Sequence, residues 1–149
     1  MEQGEGSHQA GKGGGAEPRR VLQPELLRSM LDATRDLIYA KDGDGLYLAC
    51  NEASERLVGL PEAAQIGKTD RDFFPPEFAQ AVLAEDRAIM ATGQERRVEE
   101  WVTYPDGTRV LLESVKTAFY GPDGKVAGIV GVSRDITLRK QAEAEQNRL

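Results

Sequence analysis

One cysteine, Cys50, and one histidine, His8, are all that 149 residues provide of either type. A lone cysteine forms no internal disulfide, which fits a reducing compartment, and the cytoplasm is the expected location. A lone histidine leaves no Ser-His-Asp triad. On a glycine-rich terminus that histidine is one weak ligand at most for a metal or haem, and it is read as a solvated residue. Long apolar runs are missing too. None approaches the 18 residues of a membrane-crossing helix, and the N-terminus has no apolar stretch of the secretory kind. Basic charge is in short supply: the net charge is −6, and the first twenty residues hold three acids and three bases, which leaves 16 bases against 22 acids in the rest. That balance speaks against nucleic acid and against an anionic membrane surface as partners. No P-loop or GxGxxG follows a strand. Glu99 and Glu100 alternate across a strand and are read as solvent and edge charges rather than a catalytic pair. The chain is therefore not expected to be an enzyme.

With 40% apolar and 30% charged residues, the sequence can bury the core of one globular domain. Its organising stretch runs from Trp101 to Thr137, where three β-rich runs are joined by two turns of the same chemistry. Tyr104-Pro105-Asp106-Gly107 and Gly121-Pro122-Asp123-Gly124 each place Pro early and Asp-Gly late. Proline pre-sets φ, aspartate bonds its own backbone, and glycine accepts a positive φ. The pattern predicts an antiparallel meander, which needs a cover over its apolar face.

The remaining chain supplies that cover. Residues 1–22, with six glycines in the first twenty, are expected to be a disordered tail. Pro24 to Thr34 carries Leu27, Met30 and Leu31 on one helical face. Two short strands follow, Asp36 to Lys41 and Leu46 to Cys50, around Asp42-Gly43-Asp44-Gly45. Asn51 is placed to cap a helix that Gly59 ends. Pro61 to Gly67 reads as a loop or short turn, and Thr69 to Phe74 as a short helical turn. Pro75-Pro76 opens the longest helix, with an apolar stripe of Phe78, Val82 and Ile89 that Glu85 interrupts. Trp101 is either core or covers the outer sheet face together with the helix of Leu27 and Leu31. After the meander, Leu138 to Leu149 returns to a charged helical pattern. The predicted architecture is α+β: a five-stranded antiparallel sheet with helices on one face, plus flanking N- and C-terminal helices.

Four pieces in this order resemble a PAS domain. They are Leu37 to Asn51 (LIYAKDGDGLYLACN), Ile66 to Glu77 (IGKTDRDFFPPE), the turn Asp106-Gly107-Thr108-Arg109, and Gly128 to Lys140 (GIVGVSRDITLRK). The resemblance places the domain at residues 23–136 and a linker helix at 137–149. It implies a PAS sensory module feeding an output domain, a histidine kinase or diguanylate cyclase. The other role it allows is a ligand-free dimerisation module. A homodimer is expected in both.

The resemblance also implies a pocket between the sheet and the helices, apolar with a few polar groups. Its expected wall is Ile38, Cys50, Phe74, Phe78, Ile129, Gly131 and Ser133, with room left by the small Gly131 and Ser133. Cys50 is read as a buried structural thiol. Flavin-binding LOV relatives carry a cysteine after the Gly-Arg-Asn that Gly67-Lys68-Thr69 resembles, and here Asp70 stands at that place. They also carry glutamine where this chain has Ser133. Haem-binding relatives use an axial histidine on or near the long helix, and Pro75 to Gly93 contains none. Haem and LOV-type flavin are thus not expected, and the ligand's identity is open. Asp135 and Thr137 are expected to couple the sheet to the last helix, either of them serving as its cap. Leu138, Ala142 and Leu149 are spaced as the seam of a short coiled coil.

Overall fold

A computed structural model describes residues 23–148. The tail expected over residues 1–22, its His8 and the seam residue Leu149 lie outside them. The described chain runs α1 (Pro24–Asp32), β1 (Leu37–Asp42), β2 (Tyr47–Cys50), α2 (Glu52–Val58), α3 (Glu62–Gln65), α4 (Asp70–Phe73), α5 (Pro76–Thr92), β3 (Arg96–Thr103), β4 (Arg109–Tyr120), β5 (Val126–Asp135) and α6 (Thr137–Gln146). The segment after Pro61, read as loop or turn, contains the one-turn helix α3.

Turn chemistry sets the sheet. In both Pro-Asp-Gly turns the aspartate accepts the amide two residues on, Thr108 N to Asp106 Oδ1 at 2.9 Å and Lys125 N to Asp123 Oδ1 at 3.0 Å. Gly107 and Gly124 supply the φ values of 91° and 78° that close the turns. All pairings are antiparallel, and the order is β2-β1-β5-β4-β3. β5 therefore joins the N-terminal hairpin to the C-terminal meander. Helix ends also follow local rules. Asn51 Oδ1 accepts from Ser54 N at 3.2 Å and from Ile38 N at 3.0 Å, so one side chain caps α2 and fixes its entry against β1. Pro76 starts α5, where a missing amide costs nothing.

The core forms on one face. Leu37, Ala53, Leu57, Val102, Val110 and Leu112 are buried together, with Phe74, Phe78 and Tyr104 packed on them. Each large apolar side chain so buried contributes about 1.5–3 kcal/mol before entropy is counted. On the opposite face Leu111 is covered, while Trp101 and Val132 are 51% and 37% exposed. Trp101 is thus not core, and α1 does not cover it: α1 rests on α2. Arg109 lies over its ring, 5.1 Å from the centroid.

Candidate functional site

Strand alternation brings two lysines to the inner face. β1 points Leu37, Tyr39 and Lys41 inward, and β4 points Leu112, Ser114 and Lys116 inward. Tyr39 and Lys116 both pair with Gly131 of β5, one from each side. A side chain at 131 would overlap the Tyr39 ring, so the glycine is what lets that ring lie across β5.

Both ammonium groups are 2% exposed and both are matched from the helical layer. Lys41 Nζ donates to Asp70 Oδ2 of α4 at 2.8 Å and to Asp86 Oδ2 of α5 at 2.5 Å. Tyr47 donates to the other Asp70 oxygen at 2.5 Å. Lys116 Nζ lies 2.9 Å from Glu85 of α5 and 3.4 Å from Glu100 of β3. Burial opposes the charge on Lys41, but Asp70 and Asp86 outweigh it and its pKa is raised. The same contest at Lys116 ends further up, through Tyr39, Glu100 and Glu85. Burial also raises Tyr39, and burial with Asp70 raises Tyr47 well above its ordinary value. The tyrosines therefore stay neutral and the lysines charged. α5 is thus tied to the sheet by two ion clusters as well as by its apolar stripe. Asp86 Oδ1 is buried with no hydrogen-bond partner among the described residues.

Between these clusters and the apolar core lies a cavity of about 50 Å³. Its apolar wall includes Leu57, Val58, Phe74, Phe78 and Val82; its polar wall is made by Tyr39, Lys41, Tyr47, Asp70, Glu100 and Lys116. Ser114 and Ser133, also in the wall, share a 2.7 Å hydrogen bond.

Of the expected wall residues, Phe74, Phe78 and Ser133 line this cavity. Ile38 does not: it alternates with Leu37 and Tyr39 and so falls on the outer face, opposite Val132. Ile129 is buried on the inner face but does not line the cavity. Gly131 leaves no room, because the Tyr39 ring fills it. Cys50 is 3% exposed at the end of β2, off the cavity wall; its amide donates to Glu62 and its carbonyl accepts from Arg28. Desolvation, with Glu62 and Glu55 nearby, pushes its thiol up to about 11. The cavity is lined mostly by apolar side chains with a few polar groups, two buried lysines among them. One further reading needs correction. Glu100 is not an edge charge: alternation turns it inward to Lys116, while Glu99 faces out to Lys140 at 3.4 Å. The missed residues did leave a signal. Glu85 interrupts the α5 stripe because Lys116 is its partner.

At the far end of β5, Asp135 Oδ1 accepts from Thr137 N at 2.9 Å and from Thr137 Oγ1 at 2.6 Å. Thr137 Oγ1 in turn accepts from Leu111 N at 2.9 Å, and Ile136 N donates to Leu111 O at 2.9 Å. Asp135 holds the first helical amide. Thr137 is not a cap; it pins α6 to β4.

An antiparallel sheet closed on one face by short helices and one long helix, over a small cavity, is the frame of an α+β pocket domain. The chain belongs to the PAS-fold family, whose model matches residues 31–141. It is 35% identical over 119 residues to the aerobic respiration control sensor protein ArcB of Escherichia coli (strain K12), covering 80% of this chain and 15% of that protein. It is 31% identical over 110 residues to a diguanylate cyclase of Vibrio cholerae, covering 70% of this chain and 34% of that one. A solved Vibrio cholerae VqmA–ligand–DNA complex superposes with a TM-score of 0.72 at 26% identity, over 78% of this chain and 53% of VqmA. The chain thus spans only a fraction of these relatives, and it fits a sensory or signal-relay module of kinases and cyclases. PAS domains are generally non-catalytic. No helix among the described residues is long and apolar enough to cross a membrane.

Proposed function

We propose that this domain senses a small molecule in the cavity and relays occupancy through α6 to an output domain, a histidine kinase or a diguanylate cyclase, in the cytoplasm. One observation carries the reading. Leu112 lines the cavity, and the adjacent Leu111 holds Ile136 and Thr137 through both of its backbone groups. A shift of β4 at the cavity therefore moves the root of α6. The residues do not suit haem or a LOV-type flavin. Residues 23–148 contain no histidine. Asp70, where the flavin relatives carry cysteine, is engaged by Lys41 and Tyr47. The acidic balance supports a role without nucleic acid, although the VqmA neighbour was solved with DNA.

The test places a diguanylate cyclase domain behind residue 149 and compares the parent with Val82→Phe, which fills the cavity from the α5 side. Cyclase activity should change severalfold in a variant whose circular dichroism is unaltered. Equal activity in the two would remove the sensing role. A second reading, a ligand-free homodimerisation module, draws on one feature: Leu26, Leu27 and Met30 of α1 are 50%, 48% and 56% exposed. It expects a dimer in solution, lost on changing Leu27 and Met30 to serine, with no effect of Val82→Phe.

A further inference from the structure

The charged part of the cavity wall limits what can enter it. The wall carries two cations, Lys41 and Lys116, and two anions, Asp70 and Glu100. Asp86 and Glu85 stand behind, on the same two ammonium groups. An anion would meet four carboxylates against two ammoniums. A cation would meet both lysine heads on the wall. Either would also be stripped of water, at a cost of several kcal/mol.

The hydrogen-bond inventory narrows the choice further. An ammonium has three donors and no acceptor. Lys41 gives two to Asp70 and Asp86 and keeps one N–H. Lys116 is ion-paired with Glu85 and Glu100 without a hydrogen bond to either, and Glu85 Oε1 has no hydrogen-bond partner among the described residues, so Lys116 keeps at least one N–H. Two hydroxyls joined by one hydrogen bond leave one O–H for another acceptor, and Ser114 and Ser133 are such a pair. The wall therefore has donors to spare. A cavity of 50 Å³ has room for about four non-hydrogen atoms, at roughly one water-sized sphere each.

We propose that the cavity takes a neutral molecule of this size whose oxygen accepts hydrogen bonds from Lys116 and the Ser114–Ser133 pair. Its apolar remainder packs on Phe74 and Phe78. The class of ligand is a small ketone, aldehyde, alcohol or ether, or the equivalent end of a larger neutral molecule. This deepens the sensing reading and rests on it.

The test titrates the whole chain with four probes of matched shape: acetone, acetate, isopropylammonium and isobutane. Backbone amide shifts at Tyr39, Ser114 and Ser133 report entry. Acetone should saturate at least about tenfold below either ion, a factor of ten being one good hydrogen bond's worth. In the Ser114→Ala, Ser133→Ala double variant, which removes both partners of one bond and so leaves folding nearly untouched, acetone should weaken about fivefold while isobutane does not. Tighter binding of acetate or isopropylammonium overturns the ligand class and leaves the sensing reading standing. So does isobutane binding as tightly as acetone, or acetone unaffected by the double variant. Entry by none of the four overturns the class and the sensing reading together.

Discussion

The ring of Tyr39 lies across the backbone of Gly131, in the space a side chain at 131 would take. This contact sets one boundary of the cavity. Tyr39 reaches from β1 over β5 toward Lys116, and both side chains line the cavity.

Gly131→Ala should therefore destabilise the fold by about 1–3 kcal/mol, the usual cost of overpacking. Urea unfolding measures it. The cost should shrink when Tyr39→Ala is made as well, with a coupling of about 0.5 kcal/mol or more between the two sites. Additive effects would show that the ring and the glycine do not meet.

Lys41→Met leaves Asp70 and Asp86 facing each other without a cation. Their side chains are 12% and 5% exposed, so the loss is that of a buried pair, about 3–5 kcal/mol. The same substitution at the exposed Lys125 should change stability by no more than about 0.5 kcal/mol.

Alkaline pH should weaken the protein through several groups of one sign. The Cys50 thiol, ordinarily near 9, is raised to about 11 by burial first and by Glu62 and Glu55 next. Unfolded chain then loses the thiol proton first, and native chain binds more protons across pH 9–11, so stability falls as pH rises through that window. The raised tyrosines, Tyr39 and Tyr47, act in the same direction above their ordinary value of 10. Lys41 and Lys116 also have raised values, so their contribution is fully present below about 10.5 and is lost above it. The urea midpoint should thus show no loss from these groups up to about pH 8.5 and decline from about pH 9. Cys50→Ala should move the onset upward by about one unit, to where the tyrosines begin. In native protein at pH 8, Cys50 should react with a thiol reagent far more slowly than in urea.

In a fusion to a cyclase or kinase domain, one residue inserted after Thr137 turns the following helix by about 100°. Output should change sharply. A seven-residue insertion restores the face presented and should restore most of the activity. Equal output from both insertions would leave Thr137 as a pin with no register to transmit.

The fold was legible because its signals are local. Two Pro-Asp-Gly turns, Asn51 before an acidic first turn and Pro75-Pro76 before the long helix each name an element boundary without tertiary information. Much of the site was not legible, for reasons of phase and reach. Leu37, Ile38 and Tyr39 are all plausible inward residues until the pairing with β5 decides which two point in. A lysine in a strand reads as surface, and Lys41 is buried because acids 29 and 45 residues away converge on it. The interruption of the α5 stripe by Glu85 was visible, but its meaning required Lys116 across the interface. Small residues were expected to leave room, and Ser133 does line the cavity. Gly131 instead accommodates a neighbour's ring, which no count along one strand reveals.

Sensing by this domain requires that the cavity and the root of α6 be coupled through β4. The most direct measurement of this coupling is amide hydrogen exchange at Ile136, whose N–H is bonded to Leu111 O, in the parent chain and in Val82→Phe. Val82 sits on the cavity wall in α5, remote in sequence from Ile136. Coupling predicts a change in exchange at Ile136 of about fivefold or more, the low end of energetic coupling between distinct sites. A change confined to α5 and the cavity wall, with Ile136 exchanging as in the parent, would show that the cavity and α6 are not coupled.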